Sequence, residues 1–254
     1  MRENKTTYDE WFDTETNKAL TAICTRKLIR NIGIGGILWG VLNIGLGVAF
    51  LLIDPINIGI VLLGGMMLFV GTQALRAPSL NTLRMETIAA LLLFVWNVSM
   101  AIYNQIHGGI FEIRGIIFPL IIAGTMSKHY VKLKHLETHI ETIEQDKVKT
   151  THQMCKTLIK KKLKHHPSLI ETTNKRCRAQ LMKDEACFVQ RDLLRAFVST
   201  KQQLKKTIVN QNAKRLSLHI NHPVSKLKYQ FNKKNSEKIR IWLSDQNSSE
   251  FETA

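Results

Sequence analysis

At 254 residues the chain has room for a helical membrane bundle and one small soluble domain, and for little else. Its formal charge of +16 sits almost wholly in the second half: residues 1–127 hold nine Lys/Arg against eight Asp/Glu, and residues 128–254 hold 27 against 12. Four scattered cysteines (Cys24, Cys155, Cys177, Cys187) with no C-x-x-C pair argue against a disulfide framework, and an opening rich in Glu3, Asp9, Glu10 and Asp13 argues against a cleaved signal peptide.

Residues 1–31 read as a cytosolic segment. Trp11 and Phe12 lie in its acidic start, and a helix over 17–31 turns Ala19, Leu20, Ile23 and Cys24 to one side, which suits a short interfacial helix leading into the membrane. Four apolar segments follow within 32–127, at about 32–53, 56–75, 87–106 and 109–126. Each is near the ~20 residues a helix needs to cross ~30 Å of hydrocarbon. The first three hold no ionisable side chain, and a charge at mid-bilayer is costly. Asp54-Pro55, the stretch 76–86 and His107-Gly108-Gly109 supply the turns. Arg26, Lys27 and Arg30 precede the first span, Arg76 and Arg84 divide the second from the third, and Lys128, Lys132 and Lys134 follow the fourth. By the positive-inside bias, both termini face the cytosol of a cell (inner) membrane, and an even number of spans keeps the basic half there.

Beyond the spans, Leu133, Leu136, Ile140 and Ile143 recur at helical spacing, so 128–165 reads as a cytosolic helical stalk ended by His165-His166-Pro167. The repeat falls short of a sustained heptad pattern but leaves a dimeric coiled coil open. From 166 to 245 the texture changes to seven short runs of strand character: 168–172, 176–182, 186–190, 193–199, 205–209, 215–220 and 226–231. A helix over 235–244 follows, with Ile239, Trp242 and Leu243 on its apolar side, and 246–254 reads as a disordered tail. The expected fold class is an α-helical membrane bundle of four transmembrane helices plus a small soluble α+β domain, mostly antiparallel strands with a C-terminal helix.

Gly33, Gly36, Gly40, Gly47, Gly64 and Gly71 crowd the first two spans at spacings of three, four and seven. Small residues let helix backbones approach closely in lipid, so these positions are expected to pack the first hairpin, with a homo-oligomer surface as the alternative. Asn43, Asn57, Gln73 and Asn97 are expected to bond across to neighbouring helices, since an unpaired amide in hydrocarbon is costly; a solute path is the competing reading. Glu112 and Arg114 are expected at the outer rim of the fourth span. His135-Leu136-Glu137-Thr138-His139 has the i, i+4 histidine pair of a zinc helix, but its glutamate stands one place too late and no third ligand is evident. We therefore expect no metal and no cofactor. The sequence contains no G-x-S-x-G, P-loop or H-E-x-x-H motif, and the expectation is a protein without enzymatic activity.

The positive half is the remaining functional signal. Lys160, Lys161, Lys162 and Lys164 form its densest run, and Arg176, Arg178, Lys205, Lys206, Lys214 and Arg215 follow. These ten are the candidate contacts for an anionic partner such as anionic lipid or an acidic protein surface. Nucleic acid is the weaker match, because no aromatic platform accompanies the charge.

Seven short strands followed by one helix bearing Trp242 resemble the element order of a pleckstrin-homology-like domain over 166–245. Separately, the stretch 39–57, with its glycine-rich span and Asp54-Pro55-Ile56-Asn57 turn, resembles uncharacterised bacterial four-pass membrane proteins with a cytosolic C-terminal domain. The first resemblance implies binding of lipid headgroups or peptides; neither implies catalytic residues. The leading expectation is a membrane-anchored binding or scaffold protein, with a small transporter or channel component as the alternative. The bilayer is its first partner, and self-association through the glycine faces or the stalk is open.

Overall fold

The computed structural model describes residues 14–51, 54–108, 114–134, 143–160, 168–212, 215–221 and 226–244. The chain divides into two units, one of 26–137 and one that joins 1–25 to 138–254. Helix α1 (Glu15–Leu51) belongs to the second unit up to Thr25 and to the first from Arg26 onward.

In the helical unit, α1 is followed by a 3-10 turn (Pro55–Asn57) and α2 (Ile58–Arg76), then by α3 (Leu80–Ile106) and α4 (Arg114–Lys134). Asp54 caps the 3-10 turn by accepting the Ile56 N–H at 3.0 Å, with Pro55 at a position where no backbone donor is needed. Among the described residues, three segments are long and apolar enough to cross a membrane: α1, Pro55–Arg76 and α3. Their outer faces expose large apolar side chains such as Leu38, Leu62, Phe69 and Val95, as a lipid-facing surface does. Helix α4 contains Pro119 and ends in Lys132 and Lys134. Met67, Ala89, Ala90, Leu93, Ala123 and Met126 form the core shared by α2, α3 and α4.

The third helix begins earlier than the charge pattern suggests. Ser79 and Thr82 form a reciprocal capping box that starts α3 at Leu80. The stretch 76–86, read above as a loop, is therefore mostly helix, and Glu86 lies inside α3.

The other unit is built, among its described residues, on two antiparallel meanders. The first has strands β1 (Leu169–Glu171), β2 (Cys177–Leu181), β3 (Glu185–Gln190) and β4 (Ala196–Thr200) in that order. The second has β5 (Ile208–Asn212), β6 (Arg215–Asn221) and β7 (Lys226–Phe231). A short helix α6 (Lys201–Thr207) joins them, and α7 (Lys233–Leu243) ends the unit. Residues 205–207, expected to open a strand, are the last turn of α6. A capping box between Thr200 and Gln203 fixes its start.

Both faces of the four-stranded sheet are covered, which is why β3 and β4 carry unbroken apolar runs rather than alternation. One face supplies Ile170, Phe188 and Phe197 to a core completed by Leu218, Tyr229 and Phe231 of the second sheet and by Ile239 and Trp242 of α7. Phe188 stacks on Phe197 at 4.8 Å and on Tyr229 at 6.0 Å. The other face presents Leu169, Cys187, Val189, Ala196 and Val198 to Cys155 and Leu158 of α5 (Gln145–Lys160) and to Leu20 and Cys24 of α1.

Two sequence expectations change here. Ala19, Leu20, Ile23 and Cys24 are buried within protein, so this stretch is not an interfacial helix. The segment read as one stalk is interrupted as well: Ile143 and Glu144 are non-helical, and α5 packs on the sheet. The cause is the same in both cases, because an amphipathic stripe cannot announce whether lipid, a partner helix or a distant sheet will cover it.

Candidate functional site

The basic residues of the sheet-bearing unit fall at different places. The β1–β2 turn is set by Thr172 and Asn174: the Thr172 hydroxyl donates to Asn174 Oδ1 at 2.8 Å, and the same oxygen accepts the Arg176 N–H at 3.1 Å. Lys175 adopts a left-handed conformation (φ 56°) at its tip. Thr173 anchors the turn to β7 by donating both its N–H and its hydroxyl to the Gln230 carbonyl, at 2.8 and 3.0 Å. The β3–β4 turn lies alongside, with the Arg191 N–H donating to the Arg176 carbonyl at 2.8 Å.

This end of the sheet therefore presents Lys175, Arg176, Arg191 and Lys228, all exposed. Between the β1–β2 turn and β7 is a depression of about 370 Å³ lined by Thr173, Asn174, Lys228 and Gln230. The Thr173 hydroxyl is spent on the Gln230 carbonyl, so the Lys228 ammonium and the side-chain amides are the groups there suited to an anion. One carboxylate moderates the charge: Glu171 accepts from Arg191 at 2.6 Å and from Arg178 at 3.2 Å.

Of the candidate contacts, Arg176 belongs to this cluster. Arg178 is half-buried and serves the interior, donating to Glu171 and to the Ile159 carbonyl at the end of α5. Lys205 and Lys206 are exposed on α6, which starts beside the β2–β3 turn at the opposite end of the sheet. Lys160 is exposed at the end of α5. Arg215 starts β6, and Lys161, Lys162, Lys164 and Lys214 lie outside the described residues. Lys175, Arg191 and Lys228 stand outside the ten candidates drawn from the sequence, and none belongs to its densest charge run. The available signal is Thr172-Thr173-Asn174-Lys175-Arg176, a turn sequence flanked by two strands.

In the helical unit the glycines divide between two neighbours. A Cβ on Gly40 would stand 2.7 Å from the Gly64 carbonyl oxygen and the Leu68 nitrogen, and one on Gly33 would stand 2.9 Å from the Gly71 carbonyl oxygen. Gly64 and Gly71 return these contacts, and Gly47 meets Val61, so the α1–α2 seam lies within the chain. Gly36 instead faces α3, where a side chain would collide with the Glu86 carboxyl. Asn43 and Asn97 donate to carbonyls one turn earlier in their own helices, at 2.8 and 2.7 Å, rather than across to neighbours. Asn57 likewise serves the turn, donating to the Asp54 carbonyl at 3.0 Å.

Glu86 is the unexpected group. Its side chain is 0% exposed, and neither carboxyl oxygen has a hydrogen-bond partner. In the sequence it stands just before the uncharged run from Thr87, where a charge ordinarily marks the end of a span. Among the described residues, no three His, Cys, Asp or Glu side chains gather as a metal site. His135, His139 and Glu112 lie outside the described residues. No protein-family model, curated protein or solved structure matches the chain.

Proposed function

We propose that the chain is a membrane-anchored binding protein whose soluble unit holds an anionic partner at the β1–β2 turn. The observation that carries this reading is the depression lined by Thr173, Asn174, Lys228 and Gln230, beside turns on which Lys175, Arg176 and Arg191 are exposed. The field of the whole unit favours it too: residues 168–244 hold seventeen Lys/Arg against five Asp/Glu. The likeness to pleckstrin-homology-like domains gains support from the division into four- and three-stranded meanders and from α7 with its buried Trp242. It implies a phosphorylated lipid headgroup or an acidic peptide as the ligand.

The same reading places four crossings in the cell (inner) membrane, with α4 as the last and both termini cytosolic. Support comes from Arg26, Lys27, Arg30, Arg76, Arg84, Lys128, Lys132 and Lys134, which an up-down arrangement gathers at one end of the bundle. Ser79→Cys and His107→Cys should then be labelled by an impermeant maleimide from opposite sides of sealed vesicles.

The binding test uses the full chain in zwitterionic nanodiscs, because a fragment beginning near 150 would lack the α1 turns that cover Leu169 and Val189. A soluble inositol phosphate should bind, and Lys175→Glu with Lys228→Glu should weaken it by about tenfold or more. Lys205→Glu with Lys206→Glu should leave it nearly unchanged. Equal losses in the two pairs would reduce the site to a diffuse field and end the proposal.

A second reading, a small solute transporter, is favoured by one observation: a buried carboxyl in a membrane helix marks a functional position by default. Solute flux in reconstituted vesicles that Glu86→Gln abolishes would support it, and flux indifferent to that change would remove its basis.

A further inference from the structure

Helices α1 and α4 leave a groove between them. It has a volume of about 630 Å³ and an almost wholly apolar lining, including Ile32, Trp39, Leu42, Ile121 and Met126. Gly35 keeps it open: nothing stands within 4 Å of where its Cβ would be. Seven residues separate Ile106 from Arg114 and span at most ~25 Å, well short of the ~40 Å length of α3. Helix α4 therefore returns antiparallel to α3. Gly36 meets Glu86 on α3 while Gly33 and Gly40 meet α2 in antiparallel register, so α1 runs with α3 and against α4. The groove thus has a defined polarity, with Ile32 and His129 at one end and Leu42 and Ile121 at the other.

Its length is informative. Ten residues from Ile32 to Leu42 cover about 15 Å of helix, half of a ~30 Å hydrocarbon core. That is the depth of one leaflet. At the Ile32–His129 end, helical periodicity continues the groove stripe into Lys27 and Asn31 on α1 and into Lys132 on α4, with Lys128 beside it; all four are exposed. Neither 26–51 nor 114–134 contains an Asp or Glu to neutralise them. An apolar slot one leaflet deep, ending at lysines and an amide, matches a phospholipid with a negatively charged headgroup.

We propose that the α1–α4 groove binds one anionic phospholipid, an acyl chain filling the slot and the headgroup phosphate meeting Lys27, Asn31, Lys128 and Lys132. This site is separate from the turn of the soluble unit and stands independently of the function proposed for it.

The test is lipid retention by the full chain. The protein is taken from nanodiscs of equal phosphatidylglycerol and phosphatidylcholine into mild detergent, and bound lipid is counted by native mass spectrometry. One phosphatidylglycerol per chain should remain, preferred by about tenfold over phosphatidylcholine. Lys128→Ser with Lys132→Ser should bring the preference close to unity, and Gly35→Leu, which fills the slot, should cut retention several-fold. Thr125→Leu narrows the same slot from α4 and serves if Gly35→Leu does not fold. Equal retention of the two lipids by the unaltered chain would overturn the proposal. So would undiminished retention in a correctly folded slot-filling variant, or a dimer that the slot-filling change dissolves.

Discussion

Asn17 shows how much one side chain can supply. Strand β4 lies at the edge of the four-stranded sheet, where backbone groups lack a strand partner. The Asn17 amide stands in for one: its Nδ2 donates to the Val198 carbonyl at 2.9 Å, and its Oδ1 accepts the Val198 N–H at 2.7 Å. Replacing it by alanine strands both groups in a buried place, and should cost ~1–3 kcal/mol in thermal unfolding of the full chain. Asn17→Asp keeps the acceptor, loses the donor and adds a charge, so it should fare no better. Nothing in the sequence near Asn17 discloses this, because its partner lies 181 positions away. Glu86 is hidden for a different reason: a charged residue beside an apolar run reads as the edge of a span, not as part of its interior.

The thiols also act at this scale. Burial pushes Cys155 from 9.0 up to about 11, and burial likewise lifts Cys177 to about 12. Both stay protonated in the folded chain at pH values where an exposed thiol ionises. Between pH 9 and the folded values the unfolded chain holds fewer protons, so stability falls as pH rises, by up to ~1.4 kcal/mol per unit for each thiol. It should be fully present below pH 9. Denaturant titrations at pH 8, 9 and 10 should show the decline, and Cys155→Ala should flatten part of it.

At the scale of elements, the α1–α2 seam makes a sharp comparison. Gly40→Val drives a side chain into the backbone of α2 and should cost ~1–3 kcal/mol or separate the hairpin. Gly45→Val, five positions on, meets nothing within 4 Å and should leave the melting temperature in detergent essentially unchanged. Glycine spacing made this seam readable, since close approach of helices in lipid needs small residues at such intervals. Strands β6 and β7 were readable for a similar reason: Leu216, Leu218 and Ile220 alternate with polar neighbours, as a sheet with one buried face requires. Helix α6 was not, because Lys201–Thr207 is too short and too polar to show a period. Its Thr200-x-x-Gln203 box was the available sign.

For the whole molecule, the division into units was only half legible. The shift from apolar to basic texture separates a helical bundle from a sheet domain, but it gives no hint that the domain also claims the turns of α1 that precede the bundle. Leu20 and Cys24 cover the sheet face that carries Cys187 and Val189. Leu20→Asp should therefore open that face and speed maleimide labelling of Cys155 and Cys187 under native conditions. Cys177, in the opposite core, should remain slow. Equal acceleration at all three would mean that the change unfolds the unit as a whole.

The two-part origin of this unit sets an order of events during synthesis. Residues 15–25 leave the ribosome first, yet the sheet that covers them is encoded from 169 onward. At ~5–20 residues per second, Leu20 waits about 8–33 s for Cys187 to be made, while the intervening helices enter the membrane. During that interval an apolar stripe stands bare beside the insertion machinery, where a chaperone or the bilayer itself can shelter it. Nascent chains arrested before residue 169 should accordingly remain open to protease at α1, and chains arrested after the last strand should not.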